Sequence, residues 1–274
     1  MAKPAESSLR RLPLTVTIIA CNEAARLPRT LAAVGFADEI LLLDSGSTDA
    51  TIEIAEAHGA RVERVDWPGY GQQKRRAEAW ARHDWILNLD ADEVVTAALA
   101  KEIETLFEAH EGSPPAPGYA LRILNVYPGD SAPRPFANDY RVVRLYDRRR
   151  ASYRDHPLFD RVEIETNEGA GRLRSPVHHF PFTDWAALVD KENRYTSYVA
   201  EMAKPRSGAV LLLRLVTEMP IVFFKTWLFR GHVFGGWKGF AFALVVGFAR
   251  TLRVIKLLSR QTLPSQSDQN DNLR

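Results

Sequence analysis

The run Trp85-Ile86-Leu87-Asn88-Leu89-Asp90-Ala91-Asp92-Glu93 constrains this chain more than any other stretch, because an apolar segment ends there in three carboxylates within four positions. A buried strand that delivers Asp90, Asp92 and Glu93 to its carboxyl end gathers negative charges that repel one another unless a cation is present. Oxygen ligands of this kind suit Mg²⁺ or Mn²⁺, which keep some water and take further ligands from a substrate's phosphates. Asp90 and Asp92 are therefore candidate metal ligands. Asp-x-Asp triplets also occur in solvated turns and at helix starts, so the sequence around them has to decide.

Leu14 to Cys21 is a short β-branched run that reads as a buried strand ending at Asn22-Glu23, with a helix expected from Ala24 to Val34. Asp38 to Asp44 reads as a second strand. It runs into Ser45-Gly46-Ser47-Thr48-Asp49, where Ser47 or Thr48 is expected to cap a helix through His58. A third strand over 61–65, a helix over 71–82 and the strand at Trp85 continue the alternation. Short apolar strands alternating with helices predict an α/β fold, a mostly parallel sheet with helices on both faces. Ligands of such sheets sit at the carboxyl ends of the strands. Asn22-Glu23, Asp44-Ser45 and Asp90 to Asp92 would then converge on one rim, although Asp44 and Asp49 also suit plain turn and capping roles.

The 274 residues and 46% apolar content exclude a disordered chain and allow one large domain with an appendage. Cys21 is the only cysteine, which leaves no disulfide framework and fits a reducing compartment. No apolar signal segment is visible at the N-terminus, so a cytoplasmic setting is the expectation. The net charge of +2 hides an asymmetry: residues 203–260 hold ten Lys/Arg against Glu218 alone. Such a segment suits an anionic surface.

Four segments in order, Asn22-Glu23, Asp44 to Thr51, Gly71-Gln72-Gln73-Lys74 and Asp84 to Glu93, resemble the motifs of family 2 inverting glycosyltransferases. Within that family they are most similar to the lipopolysaccharide core glucosyltransferase branch. The resemblance implies a GT-A, Rossmann-like domain and a nucleotide-sugar donor such as UDP-glucose. It also implies nucleotide-sugar contacts at Asn22, Glu23, Asp44, Lys74 and Asp90, and Mg²⁺ or Mn²⁺ at Asp90 and Asp92. Arg76 departs from the branch, which usually has Asn there.

Inverting transfer needs a base to deprotonate the acceptor hydroxyl and a cation to stabilise the leaving diphosphate. The branch carries its base in a Val-His-Glu or Val-His-Asp segment after an Arg-Leu-Phe strand. Here Arg144-Leu145-Tyr146 is followed by His156-Pro157-Leu158-Phe159-Asp160, in which Asp160 aligns with the acid and Phe159 replaces the His. Asp160 is the candidate base, His156 its runner-up and Asp155 a distant third. His178-His179 also resembles the branch; adjacent strand residues point to opposite faces, so at most one faces the cleft. A helix from Asp184 to Met202 carries Arg194, a candidate diphosphate contact.

These readings divide the chain into a GT-A catalytic domain over 12–202 (donor half 12–110, acceptor half 118–202), amphipathic membrane-surface helices over 203–260, and a disordered tail over 261–274. The apolar runs after Gly208 are shorter than the 18 to 20 residues needed to cross a bilayer. On helical spacing, Arg214, Glu218 and Lys225 share one stripe, and Arg250, Arg253, Lys256 and Arg260 another. Basic, aromatic, amphipathic segments of this kind lie in the membrane interface. The expected partners are a nucleotide-sugar, a membrane glycolipid such as a lipopolysaccharide core, and an anionic membrane surface, with no nucleic acid. The expected place is the cytoplasmic face of the inner membrane, peripherally bound. A nucleotidyltransferase is one competing class, though no Gly-rich basic loop follows the first strand. A non-catalytic membrane adaptor is another, favoured by Phe159 and opposed by intact Asp90 and Asp92.

Overall fold

The computed structural model describes residues 11–156, 160–165, 169–204 and 206–262. They fall into two compact units: Met1–Val126 with Asp139–Pro181, and Tyr127–Asn138 with Phe182–Arg274. Phe159 and the tail beyond 262 lie outside the described residues.

The first unit runs β1 (Leu12–Ala20), α1 (Leu27–Ala32), β2 (Ala37–Asp44), α2 (Thr51–Ala57), β3 (Arg61–Arg64), α3 (Tyr70–Trp80), β4 (Trp85–Asp90), β5 (Glu93–Val95) and α4 (Ala97–Ala109), then β6 (Gly118–Asn125), β7 (Asp139–Asp147), β8 (Ala151–Tyr153), β9 (Val162–Ile164) and β10 (Gly171–His179). Eight strands make one sheet in the order β3-β2-β1-β4-β7-β6-β10-β5, and β8 pairs with β9 alone. The pairs among β3, β2, β1 and β4 are parallel, as is β6 with β10, while β7 runs antiparallel between β4 and β6. The expected mostly parallel sheet is present, with β7 inserted beside the Asp90 strand.

Helices cover both faces because the central strands are apolar on both. Val16, Ile18, Leu42 and Leu87 pack in one core with Leu27 and Leu31 of α1 and with Leu99, Ile103 and Phe107 of α4. Leu41 and Leu43 face the other way, against Ala77 of α3. Each fully buried Leu or Ile contributes about 1.5–3 kcal/mol. Helix α1 starts at Leu27, later than Ala24, with Pro28 in its first turn. Pro at that position is preset for the helix and lacks only a donor that would be unpaired there.

The second unit holds α5 (Trp185–Met202), α6 (Gly208–Phe224) and α7 (Gly236–Thr262), with a π-helical turn over Lys225–Phe229 and a 3-10 turn over His232–Gly235 between the last two. Helix α5, which the sequence assigns to the acceptor half, packs against α7. At Gly239 a Cβ would lie 1.8 Å from the His232 carbonyl oxygen, so only glycine fits where α7 passes that turn. Among the described residues no helix is long and apolar enough to cross a membrane.

Several cations of α6 and α7 are engaged within the unit, while Lys225 and Arg260 stay exposed. Arg214 pairs with Glu218 at 2.8 Å, and Arg250 and Arg253 approach the same carboxylate at 3.5 Å. Lys256 donates to Asn193, Thr196 and Ser197 of α5, and Arg260 donates to the carbonyls of Ala200 and Glu201. Helical spacing cannot show that three arginines meet around one half-buried acid, Glu218.

Candidate active site

At the carboxyl ends of β1 and β2 two loops are stitched together. Asn22 takes a left-handed backbone (φ 57°), its N–H donates to Ser47 Oγ at 2.8 Å, and its Oδ1 accepts from the Thr48 N–H at 2.8 Å. The Glu23 N–H donates to Thr51 Oγ1, and the Ala24 N–H to Asp49 Oδ2. Asp44 is buried, and its carboxylate accepts from the N–H groups of Gly46 and Ser47 and from the Ser47 hydroxyl. Ser47 and Thr48 therefore do not cap α2, as the sequence suggested, because their polar groups are spent across the two loops. Asp49 accepts from the N–H and hydroxyl of Thr51, a turn role.

At the end of β4 the carboxylates are neutralised from within the protein. Asp90 accepts from Lys74 Nζ at 2.8 Å through one oxygen and from Arg144 Nη2 at 2.8 Å through the other. Arg144 Nη2 also donates to Glu93 Oε1 at 2.8 Å, and Glu93 Oε2 accepts the Asp90 N–H. Lys74 Nζ donates in addition to Asp160 Oδ2 at 2.7 Å and lies 5.2 Å from the centre of the Tyr153 ring. Behind them Asn88 Oδ1 accepts from Arg144 and from the Tyr153 hydroxyl. The premise that Asp90, Asp92 and Glu93 repel one another until a metal arrives is thus corrected. Helix α3 supplies Lys74 and β7 supplies Arg144, and both cations are buried beside the carboxylates.

The electrostatics follow from that enclosure. Burial alone would raise the Asp90 carboxyl, but Arg144 and Lys74 outweigh it and hold the group well below the usual carboxylate range. Burial dominates at Glu93, whose carboxyl stays raised despite Arg144. For Lys74, burial opposes the charge, and the Tyr153 oxygen with Asp90 and Asp160 reverses the effect, so the amine is held above its ordinary value.

Asp92 belongs to a second group. Its Oδ2 accepts from Arg26 at 2.9 Å, and Arg26 also grips both oxygens of Glu23. Its Oδ1 faces His179 Nε2 at 3.4 Å. His179 Nδ1 lies 2.8 Å from Asn125 Oδ1, which can only accept, so in the neutral ring Nε2 keeps the lone pair. Burial raises the Glu23 carboxyl in spite of Arg26. His178 points away from this group, as strand alternation requires, and burial lowers its imidazole.

Asp92 Oδ1 and His179 Nε2 lie close enough to touch one ion, and the ring is oriented as metal-bound histidines are. Among the described residues no three His, Cys, Asp or Glu gather as a complete ligand set. Two protein ligands, with water and phosphates completing the shell, fit Mg²⁺ or Mn²⁺. Both oxygens of Asp90 are already taken by Lys74 and Arg144.

A cleft of about 1380 Å³ opens over this cluster, lined by Asp90, Tyr140, Arg144, Tyr153, Asp160 and Val162 among others. A second cavity of about 560 Å³ lies behind the Asp44 loop, between Ser45, Arg64, Asp66, Trp67 and Arg76. Asp160 stands at the cleft, partly exposed. The carbonyl of His156 accepts from the Gly71 N–H. Arg194 is exposed on α5, in the second unit. Sequence reasoning missed Arg26, Arg144 and Tyr153 as members of the site; the one signal for Arg144 was a charge set between Val143 and Leu145 in the inner half of its strand.

Residues 15–177 match the sequence profile described as "Glycosyl transferase family 2". A glycosyltransferase of Rickettsia bellii is 34% identical over 96% of this chain and 93% of its own length. The lipopolysaccharide core biosynthesis glycosyltransferase LpsC of Rhizobium meliloti is 26% identical over 96% of this chain and 98% of its own. Among solved structures, S. aureus TarS 1-349 in complex with UDP-GlcNAc aligns with a TM-score of 0.45 at 13% identity, over 89% of this chain and 83% of that one.

Proposed function

Because the chain belongs to the family 2 glycosyltransferases, we propose that it moves a hexose from a nucleotide-sugar onto a membrane glycolipid by a metal-assisted, inverting displacement. One observation carries this reading: a partly exposed carboxylate, Asp160, is fixed at a large cleft by Lys74, which also holds Asp90, and Asp90 lies two positions before Asp92, which faces His179. A base, an anchored donor site and a cation site then share one rim.

The nucleobase of the donor suits the smaller cavity, where Trp67 offers an exposed ring and Arg64 and Arg76 add positive charge. Asn22, Glu23 and Asp44 shape that side through the hydrogen bonds of their loops. Asp92 and His179 would hold a divalent ion, whose charge would stabilise a departing diphosphate. Lys74 is shared between Asp90 and Asp160, and so fixes the base relative to the donor. In the transfer, the acceptor hydroxyl gives its proton to Asp160 while its oxygen bonds to the anomeric carbon. The bond from that carbon to the diphosphate oxygen breaks, and the nucleoside diphosphate departs with the electron pair.

The name of the Rhizobium meliloti relative supports an acceptor of the lipopolysaccharide core type. A bilayer-anchored acceptor in turn calls for a protein held at the membrane surface, on the cytoplasmic face where nucleotide-sugars are available. The test is to incubate the protein with UDP-glucose and other nucleotide-sugars, with and without native lipid extract and Mn²⁺. Free nucleoside diphosphate and labelled lipid are followed. Release that needs both lipid and metal is expected; labelled lipid from no donor would overturn the reading.

A further inference from the structure

The second unit leaves large aromatic side chains in water. Phe136, Phe229, Phe234 and Trp237 are 77, 87, 56 and 68% exposed. They come from two separate segments, the 127–138 loop and the turn between α6 and α7 with the first turn of α7. Phe136 meets Phe234 edge to face at 5.1 Å. Phe136 also has φ 53°, a left-handed backbone that is costly for a bulky residue and persists only where the surroundings impose it.

Arg134 imposes it. Its guanidinium donates to the carbonyls of Pro135 at 3.1 Å and Phe136 at 2.8 Å, and to the carbonyl of Arg230 at 2.8 Å. Asn138 Nδ2 donates to the same Arg230 carbonyl. The two segments are thereby locked together with their turn carbonyls satisfied. A surface that keeps its backbone groups paired from inside can enter an apolar medium at little cost, whereas unpaired carbonyls would resist it.

Charge at the same place selects the medium. Among the described residues no carboxylate pairs with Arg134, Lys225 or Arg230, whereas Arg214, Arg250 and Arg253 turn toward Glu218. Exposed Phe and Trp beside unpaired Arg and Lys match the boundary between acyl chains and anionic headgroups. A surface made to bind a second copy would gain nothing from uncompensated like charges around its apolar centre.

We propose that Phe136, Phe229, Phe234 and Trp237 form an aromatic apex that inserts into the interface of an anionic bilayer, with Arg134 as the residue that locks it. This rests on the membrane-acceptor reading and narrows it. The attachment is chiefly apolar and localised to the turn, and the helix cations contribute less.

The test sediments the full-length protein with vesicles of phosphatidylglycerol and phosphatidylcholine, beside the variants Phe136→Ser and Phe229→Ser. Thermal melting checks that the variants are folded. Each loss of an inserted Phe should weaken partitioning by about tenfold or more, the equivalent of burying half of such a ring or better. High salt should weaken wild-type binding only in part. A readout that needs no Phe variant is quenching of tryptophan emission by brominated lipid, which Trp237→Phe should largely abolish. If the wild type binds and both Phe variants bind equally, with quenching unchanged in Trp237→Phe, the apex is wrong and the membrane reading stands. If the wild type binds no vesicle, both fall. A concentration-dependent dimer that Phe229→Ser disperses would make the apex a contact between copies and overturn the proposal.

Discussion

Lys74 Nζ donates to Asp160 Oδ2 at 2.7 Å from a side chain that is itself wholly buried, so the proposed base is held from beneath by a charge that cannot move far. Asp160→Asn should lower turnover by about 10²- to 10⁴-fold, the usual worth of a general base, with donor affinity nearly unchanged. His156→Ala should have the smaller effect. Steady-state kinetics with separate kcat and KM decide; the reverse order would move the base to His156.

Asp92 and His179 approach each other from strand ends far apart in sequence. Asp92→Asn and His179→Ala should each weaken nucleotide-sugar binding in the presence of Mn²⁺ and leave metal-free binding largely unchanged. Calorimetric titration with and without the ion measures this. A metal effect undiminished in both variants would remove them as ligands.

Arg144 neutralises Asp90 and Glu93 together inside the fold. Removing one partner of a buried pair typically costs about 3–5 kcal/mol, because the other charge is left uncompensated. Arg144→Met should lose stability on that scale in denaturant unfolding. A loss below about 1 kcal/mol would mean that water or Lys74 takes its place.

In the second unit His232 lies 2.6 Å from the Tyr127 hydroxyl and stacks on Phe242 at 4.8 Å. Burial, then Arg134 and Arg230, lower the imidazole from 6.5 to about 4. A depressed histidine stabilises the fold fully above its unfolded value, and that stability is lost as pH falls from about 6.5 through 4. Thermal melting should show this acid loss in the wild type and a flatter profile over that window in His232→Asn. Identical slopes would refute the assignment.

The strand ends were legible because apolar runs stopped abruptly at polar residues: Cys21 before Asn22, Leu43 before Asp44, Leu89 before Asp90. What those polar residues touch was not legible. Arg144 reaches Asp90 only because β7 inserts antiparallel next to β4, a pairing that no periodicity encodes. His179 was one of two adjacent candidates, and alternation on β10 chose between them only once β10 was paired with β6, which also supplies Asn125. Likewise the helical wheel set Arg250 and Arg253 on one stripe, but only the approach of α7 to α6 brings both within 3.5 Å of the Glu218 carboxylate.

The central claim is a single displacement driven by one carboxylate base, and the anomeric configuration of the product tests it most directly. With an α-linked donor such as UDP-glucose, NMR of the glycosylated acceptor should show only the β-linked anomeric proton. An α-linked product would require a second displacement, or attack on the same face as the leaving diphosphate, and would contradict the role given to Asp160.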